Sequence, residues 1–414
     1  MHAAKLRKLL FVGIATIGLL GCGPEDGGSG SADEDGLSAL ARGGKKDKVK
    51  FPAPAPTPSP SPTSTDPIVQ DPETGTVELA AVDDGLLESN YLSTVSLASS
   101  AAPDVVGAFR FLCPPSHISY DDPIVHPGQP GANEHLHIFF GNTETDAHST
   151  FQSLRTSGDS TCRNMLNRSA YWQPAMLGKN TAGQEVVIVE DYTNFYYKRR
   201  PANDPAAEGI PAALPRGLKF VFGGMEHPAR FKCLTSDGNH NVTDWLPTLQ
   251  QALSLCAAGQ KIDMIQTTPE CWDGKNLDSA DHRSHLTFLL RDKNSGKEFC
   301  PTTHPYLLPR LTFQRIFTIR SDDVTTTWRL SSDMPGDEPG SMAHADYIMA
   351  WNDDVHDRWM GACINKLLNC SDGNVGDGAK MVANNLYTNA MAASARARRA
   401  PIPQRGEVVS LLIK

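Results

Sequence analysis

Between residues 105 and 320 the chain repeats one kind of segment: "VVGAFRFLC", "HLHIFF", "QEVVIVEDY", "LKFVFGG", "HLTFLL" and "LTFQRIFTI". Each is short, rich in β-branched or aromatic residues, and bounded by Gly, Pro, Asn or Asp, as strands ending in turns are. Helical periodicity is scarce before residue 350. Many spaced strands with few helices predict a mainly β chain, with a sandwich or jelly-roll-like core and long loops. Beyond residue 350, Val355, Trp359, Cys363 and Leu367 recur at four-residue spacing behind the cap candidates Asn352, Asp353 and Asp354. That spacing predicts one amphipathic helix, and a second is expected around 381–393.

The N-terminus has a different character. Lys5, Arg7 and Lys8 precede the apolar stretch "LLFVGIATIGLL", which is too short to span a bilayer comfortably and suits the core of a signal peptide. It ends in Leu19, Leu20, Gly21 and Cys22, which resembles the lipobox of bacterial lipoproteins. The resemblance implies that residues 1–21 are removed and that Cys22 carries lipid, palmitate included, holding the chain to a membrane with no helix crossing it. Gly23 stands where an Asp would signal retention in the inner membrane, so the outer membrane or cell surface is the expected destination. A plain secretory signal is the alternative reading. From Cys22 to about residue 100 a tether is expected: Gly, Ser and charged runs, then "FPAPAPTPSPSPTSTDP", a composition that favours polyproline II and cannot bury a core. One peripheral strand is expected near "TVELAAV". The globular domain is placed at 101–371, with 372–414 a C-terminal helix and a tail, "ARARRAPIPQR", read as a solvated charge run. Net charge is −9 and the pI about 5.8, and no basic stripe interleaves with aromatics, so nucleic acid is not an expected partner.

Of nine cysteines, Cys22 is assigned to the lipid. The other eight are Cys113, Cys162, Cys233, Cys256, Cys271, Cys300, Cys363 and Cys370. An even set in an exported chain implies disulfides, and pairing of neighbours (113–162, 233–256, 271–300, 363–370) is the simplest connectivity. The absence of CxxC removes zinc-ribbon and thioredoxin readings.

The chemistry-bearing residues are mostly histidines. In "PGANEHLHIFFGN" the period of two sends His135 and His137 to one face of a strand, which suits a metal site or a proton-transfer pair. "CWDGKNLDSADHRSH" adds His282 and His285, with Asp273, Asp278 and Asp281 beside them and Lys275 available to an anionic substrate. Asp281 is placed to hold a ring N–H and fix a tautomer. "CPTTHP" contributes His304, and "HADY" contributes His344 and Asp346 on one side of a strand. Trp272 either stacks on a sugar face or packs against a disulfide. GxSxG, HExxH, Walker and dinucleotide motifs are absent. "DGNVGDG" fails as an EF-hand, because Asp377 and Ala383 occupy the positions of the required Gly and Glu.

Read in order, "DDPIVHPGQPGANEHLHIFFGN", "NRSAYWQPAM", "LPRGLKFVFGG", "CWDGKNLDSADHRSHLTF", "CPTTHPYLLP" and "HADYIMAWND" resemble the successive blocks of the family catalogued as domain of unknown function nineteen ninety-six. Ala345 and Tyr347 depart from its usual Gly and Phe. The resemblance implies a secreted protein in a polysaccharide setting, since members occur in fungi and bacteria and fungal ones often carry WSC modules; it supplies no reaction.

Two functions are weighed, beside a third possibility, a structural envelope protein, that needs neither of their patterns. The first is a surface-anchored hydrolase or lyase acting on extracellular or cell-wall polysaccharide. His135, His137, His282 and His285 would line its pocket, with His304, His344 and Asp346 as further candidates. Either one divalent metal, bound by three of these histidines, activates water, or His and Asp act directly as base and acid. Asp281 or Asp346 would orient the site, and Trp272, Asp273, Lys275, Trp172 and Tyr171 would contact substrate. The second is a non-catalytic glycan-binding or adhesion lipoprotein with Trp172, Tyr171, Trp272 and Tyr306 as a stacking platform. Convergence of the histidines favours the first, and a flat exposed aromatic strip the second.

Overall fold

The computed structural model describes residues 66–96, 106–201, 204, 209–394, 396 and 398–412. The expected export signal, the expected lipid site at Cys22 and the Pro-rich run before Asp66 lie outside the described residues.

Two six-stranded sheets form the core. The first holds β1 (Gly107–Cys113), and β2 (His117–Ser119), β3 (His137–Gly141) and β4 (Ala170–Pro174) belong to the second. The chain continues through β5 (Tyr192–Arg199), β6 (Lys219–Gly223), β7 (Arg230–Leu234), β8 (Lys261–Thr267) and β9 (Arg310–Thr318). It then makes β10 (His344–Ile348), β11 (Asn369–Cys370) and β12 (Val409–Ser410). The first sheet has the order β7-β8-β9-β5-β1-β11, and the second β6-β10-β4-β3-β2-β12. Every pairing within them is antiparallel except that of β11 with β1.

Alternation along these strands explains the core. Phe111, Phe195, Tyr197 and Phe313 of the first sheet meet Phe140, Tyr171, Phe222 and Tyr347 of the second, all of them buried. The rings of Tyr171 and Phe195 lie 4.2 Å apart across the interface. Each such ring removed from water contributes about 1.5–3 kcal/mol, so this mainly β sandwich is held by its aromatic layer. The phenolic oxygens are satisfied internally: Tyr197 Oη meets Tyr171 Oη at 3.0 Å and Tyr347 Oη at 3.1 Å, and accepts from Trp351 Nε1 at 3.1 Å.

The four disulfides pair neighbours: 113–162, 233–256, 271–300 and 363–370. Asn352 caps the helix Asp353–Trp359 by accepting from Val355 N at 3.3 Å, and the helix runs on as a π turn through Ile364. The second helix spans Asn385–Ser394. Among the described residues no helix is long and apolar enough to cross a membrane.

Two expected boundaries change. Residues 66–96, assigned to the tether, fold back on the domain. Val77–Leu79 is a strand, as expected, and Leu92–Thr94 pairs with Ala379–Met381. Glu78 and Asp84 form ion pairs with Arg216 and Arg155. Acidic residues that look solvated in a Gly- and Asp-rich stretch find partners more than seventy positions away, which local composition cannot reveal. The basic tail is likewise not a solvated charge run. Arg399 is paired with the buried Asp323, Arg399–Ala400 pairs with Val187–Ile188, and β12 closes the second sheet against β2.

Candidate functional site

The site is built on the outer face of the second sheet. On β10, Ala345 and Tyr347 point into the sandwich, so His344 and Asp346 point away from it. On β3, Ile138 and Phe140 face inward and His137 outward. Asp346 pairs with Trp172 and His137 with Pro174, both on the intervening β4. His135 lies two residues before β3 and brings its ring to the same point.

The three imidazoles converge. Ring centroids are 4.6 Å apart for His135 and His137, 4.8 Å for His135 and His344, and 5.9 Å for His137 and His344. His135 Nε2 and His344 Nε2 face each other at 3.1 Å. One nitrogen from each of the three lies within 4.8 Å of the others, and the same limit holds for donor atoms of Asp122, His137 and Asp346. These two groups could each hold a metal ion, and they share His137. Nitrogens bound to one tetrahedral zinc at about 2.0–2.1 Å sit roughly 3.3 Å apart, close to the His135–His344 spacing.

Backbone carbonyls set the tautomers. His137 Nδ1 lies 3.0 Å from the Asp121 oxygen and His344 Nδ1 3.1 Å from the Met342 oxygen. A carbonyl only accepts, so both Nδ1 atoms carry the hydrogen and both Nε2 atoms keep a lone pair, which faces the Asn133 amide at 3.4 Å in His137 and His135 Nε2 in His344, contacts that a bound ion would replace. The Asn133 amide donates to the His135 oxygen at 3.0 Å and lies against the His137 ring.

Burial dominates the electrostatics. Desolvation, which disfavours the charged form, lowers His135 to about 4 and His344 to about 3 and holds His137 well below its ordinary value. Asp346 is pushed far above the carboxylate range by burial and by Asp122, with Arg283 opposing. Both Asp346 oxygens are buried without a hydrogen-bond partner among the described residues, and one lies 3.9 Å from His344 Nε2. An ionised carboxylate there demands a cation; otherwise it takes up a proton.

Facing these groups across a cleft of about 240 Å³ stand Asp281, His282 and Arg283. His282 has φ +57°, a backbone region unusual for a side chain of its size. Its Nδ1 lies 2.8 Å from Asp278 Oδ1, and Lys219 Nζ meets the other carboxylate oxygen at 3.1 Å. Burial would raise Asp278, but the His282 hydrogen bond and Lys219 outweigh it and hold the carboxyl below its ordinary value.

Other expected participants lie elsewhere. Both ring nitrogens of His285 are occupied, Nε2 by the Lys219 oxygen at 2.8 Å and Nδ1 by Ser279 Oγ at 2.9 Å. His304 is bound to the Ser284 oxygen at 2.9 Å and to Thr303. Neither lines the cleft. Asp281 holds no ring: its carboxylate accepts from Arg283 N, Ser284 N and Ser279 Oγ, which shapes the turn. Asp273 caps the adjoining turn through Lys275 N and Asn276 N, and Lys275 is exposed on that turn. Trp172 and Tyr171 are completely buried, and Trp272 is 3% exposed with its indole N–H given to the Asn276 oxygen. Tyr306 donates to the Thr74 oxygen at 2.8 Å. These four aromatics form no exposed strip.

Asp122 and Asn133 escaped the sequence reading. Asp122 precedes a Pro and accepts from Ile124 N and Val125 N, so its motif reads as an ordinary turn cap. Asp278, read in the sequence as one of three carboxylates beside His282 and His285, is the residue that holds His282.

No curated protein and no solved structure matches the chain. Residues 122–351, more than half of the chain and the span that supplies every side chain of the cleft, match the family described as Domain of unknown function (DUF1996), and the chain belongs to that family.

Proposed function

We propose that the cleft is a divalent-metal centre of an exported enzyme that acts on extracellular or cell-wall polysaccharide. The observation that carries this reading is the pairing of three convergent, desolvated imidazoles with a buried carboxylate, Asp346, that has no hydrogen-bond partner among the described residues. His135, His137 and His344 would hold the ion, with Asp346 and Asp122 as its carboxylate neighbours. A divalent ion there would supply Lewis acidity toward a substrate oxygen or a water. The chain's own contribution is the opposite wall: Asp278 orients His282 so that its Nε2 serves as base and acid at the reacting oxygen, and Arg283 meets negative charge as it develops.

The polysaccharide part of the proposal rests on the export signal, the lipid anchor expected at Cys22 and the secreted setting of the family. The adhesion alternative is disfavoured, since the aromatics it needs are buried or engaged. The test is metal content of the purified full chain beside a His135→Ala/His137→Ala variant, followed by a screen of neutral and acidic polysaccharides for cleavage. Near-stoichiometric metal lost in the variant, with the circular dichroism spectrum unchanged, is the expected result. Wild-type protein that takes up no ion after dialysis against Zn²⁺, Mn²⁺ or Co²⁺ overturns the metal reading.

A further inference from the structure

The loop that delivers His135 is held from outside the family segment. Arg405, in the C-terminal tail, donates through Nη1 to the Asn133 oxygen at 2.6 Å and the Gly131 oxygen at 3.1 Å. Through Nη2 it donates to the Glu134 oxygen at 3.1 Å. Its guanidinium also covers the Tyr120 ring at 5.0 Å. Gly131, at φ +68°, presses so closely on the tail that a Cβ there would lie 2.6 Å from Gly406 N. The tail is then tied down by β12 pairing with β2 and by Leu411 N donating to the Ser116 oxygen at 2.8 Å. Asn133, whose oxygen Arg405 holds, is the residue whose amide grips the His135 oxygen and abuts His137.

We infer that Arg405 is a positioning residue for the metal centre, and that residues 401–411 complete a site whose ligands all come from the family segment. One planar fork bonded to three consecutive-loop carbonyls fixes the backbone between Gly131 and Glu134, which sets where the His135 ring arrives. Without it His135 must be ordered when the ion binds, and that ordering is subtracted from affinity. The coupling is reciprocal, so an ion bound at the histidines also holds the tail.

This inference rests on the metal reading above, and the experiment separates the two. Co²⁺ is titrated into the full chain and followed by its visible absorption, for wild type, Arg405→Gln, Arg405→Lys and Arg329→Gln. Arg329 pairs with Glu185 on a different sheet and controls for loss of a surface arginine. Arg405→Gln is expected to bind Co²⁺ at least tenfold more weakly with shifted absorption bands, in the range typical of residues that orient ligands. Arg405→Lys, which keeps charge but not the fork, should recover only part of this, and Arg329→Gln should match wild type. Hydrogen exchange at Leu411 N should slow on Co²⁺ binding in wild type and not in Arg405→Gln. Should Arg405→Gln fail to fold, Gly131→Ala disturbs the same contact from the loop side. Wild-type affinity and bands in Arg405→Gln, or an equal loss in Arg329→Gln, overturns the clamp and leaves the metal reading intact. Wild type that binds no Co²⁺ overturns both.

Discussion

Acid should unfold this domain partly through one histidine remote from the cleft. His356, on the helix Asp353–Trp359, is 4% exposed, packs edge-on against Trp359 at 4.8 Å and has no partner for Nε2 among the described residues. Burial, with help from the Arg216 guanidinium, lowers it to about 3 from 6.5. In the unfolded chain the imidazole takes a proton as pH falls through 6.5; in the folded chain it stays neutral until about 3. Between those values only the unfolded state gains the proton, so stability present above pH 6.5 is lost on acidification. The loss is about 1.4 kcal/mol per pH unit, or about 2.7 kcal/mol by pH 4.5. His356→Leu, of similar volume and without the unpaired nitrogen, should be within about 1.5 kcal/mol of wild type at pH 7.5. At pH 4.5 its stability relative to wild type should have risen by roughly 2–3 kcal/mol. Urea unfolding of the disulfide-intact chain at both pH values, followed by tryptophan fluorescence, measures the difference. Other buried histidines, such as His117 at about 4, share this window but cancel between the two proteins. Curves that lose stability equally from pH 7.5 to 4.5 would refute the reasoning.

Three further outcomes are expected. Asp346→Asn should melt like wild type in EDTA, because burial disfavours the charged form of that unpaired carboxyl, but should lose the metal-induced rise in Tm. That rise corresponds to about 2.7 kcal/mol at free metal a hundredfold above Kd, and calorimetry with and without Zn²⁺ reads it. Tyr197→Phe removes a hydroxyl that serves Tyr171, Tyr347 and Trp351 and should cost about 2–4 kcal/mol in urea melts. Tyr347→Phe, which ends one of those contacts, should cost about 1 kcal/mol. Opening the bridge between Cys271 and Cys300, 29 positions apart, with the double serine variant should cost about 3.6 kcal/mol overall. Hydrogen exchange should rise first in residues 273–285.

The strands, the disulfide neighbours and the Asn352 cap were legible because they follow from local pattern: alternation, spacing along the chain and one side-chain oxygen three residues from an N–H. His135, His137, His344 and Asp346 were nameable for the same reason, since period two shows which face a residue takes. What alternation cannot show is which strands become neighbours. That β10 and β3 flank β4 decides that His344 meets His135, while His285, in a motif just as rich in polar residues, spends one nitrogen on Ser279 of its own loop and the other on the Lys219 oxygen of β6. Arg399 and Arg405, in the tail read as a solvated charge run, were misread because their partners lie across the fold. "CWDGKNLDSADHRSH" is mostly self-satisfying turn chemistry; of its polar set Asp281, His282 and Arg283 line the cleft, and Asp278 holds His282.

The two walls of the cleft stand on unequal foundations. His137, His344 and Asp346 sit on strands hydrogen-bonded on both sides in the middle of a six-stranded sheet. His282 and Arg283 sit on an irregular run whose ends are the two-residue strands Cys271–Trp272 and Leu286–Thr287, with Cys271 bridged to Cys300. One jaw is sheet and the other is loop. Under the proposed function, drift in the loop's length or charge would change what fits between the jaws while leaving the proposed metal ligands untouched, so relatives should differ in what they accept sooner than in what they do to it.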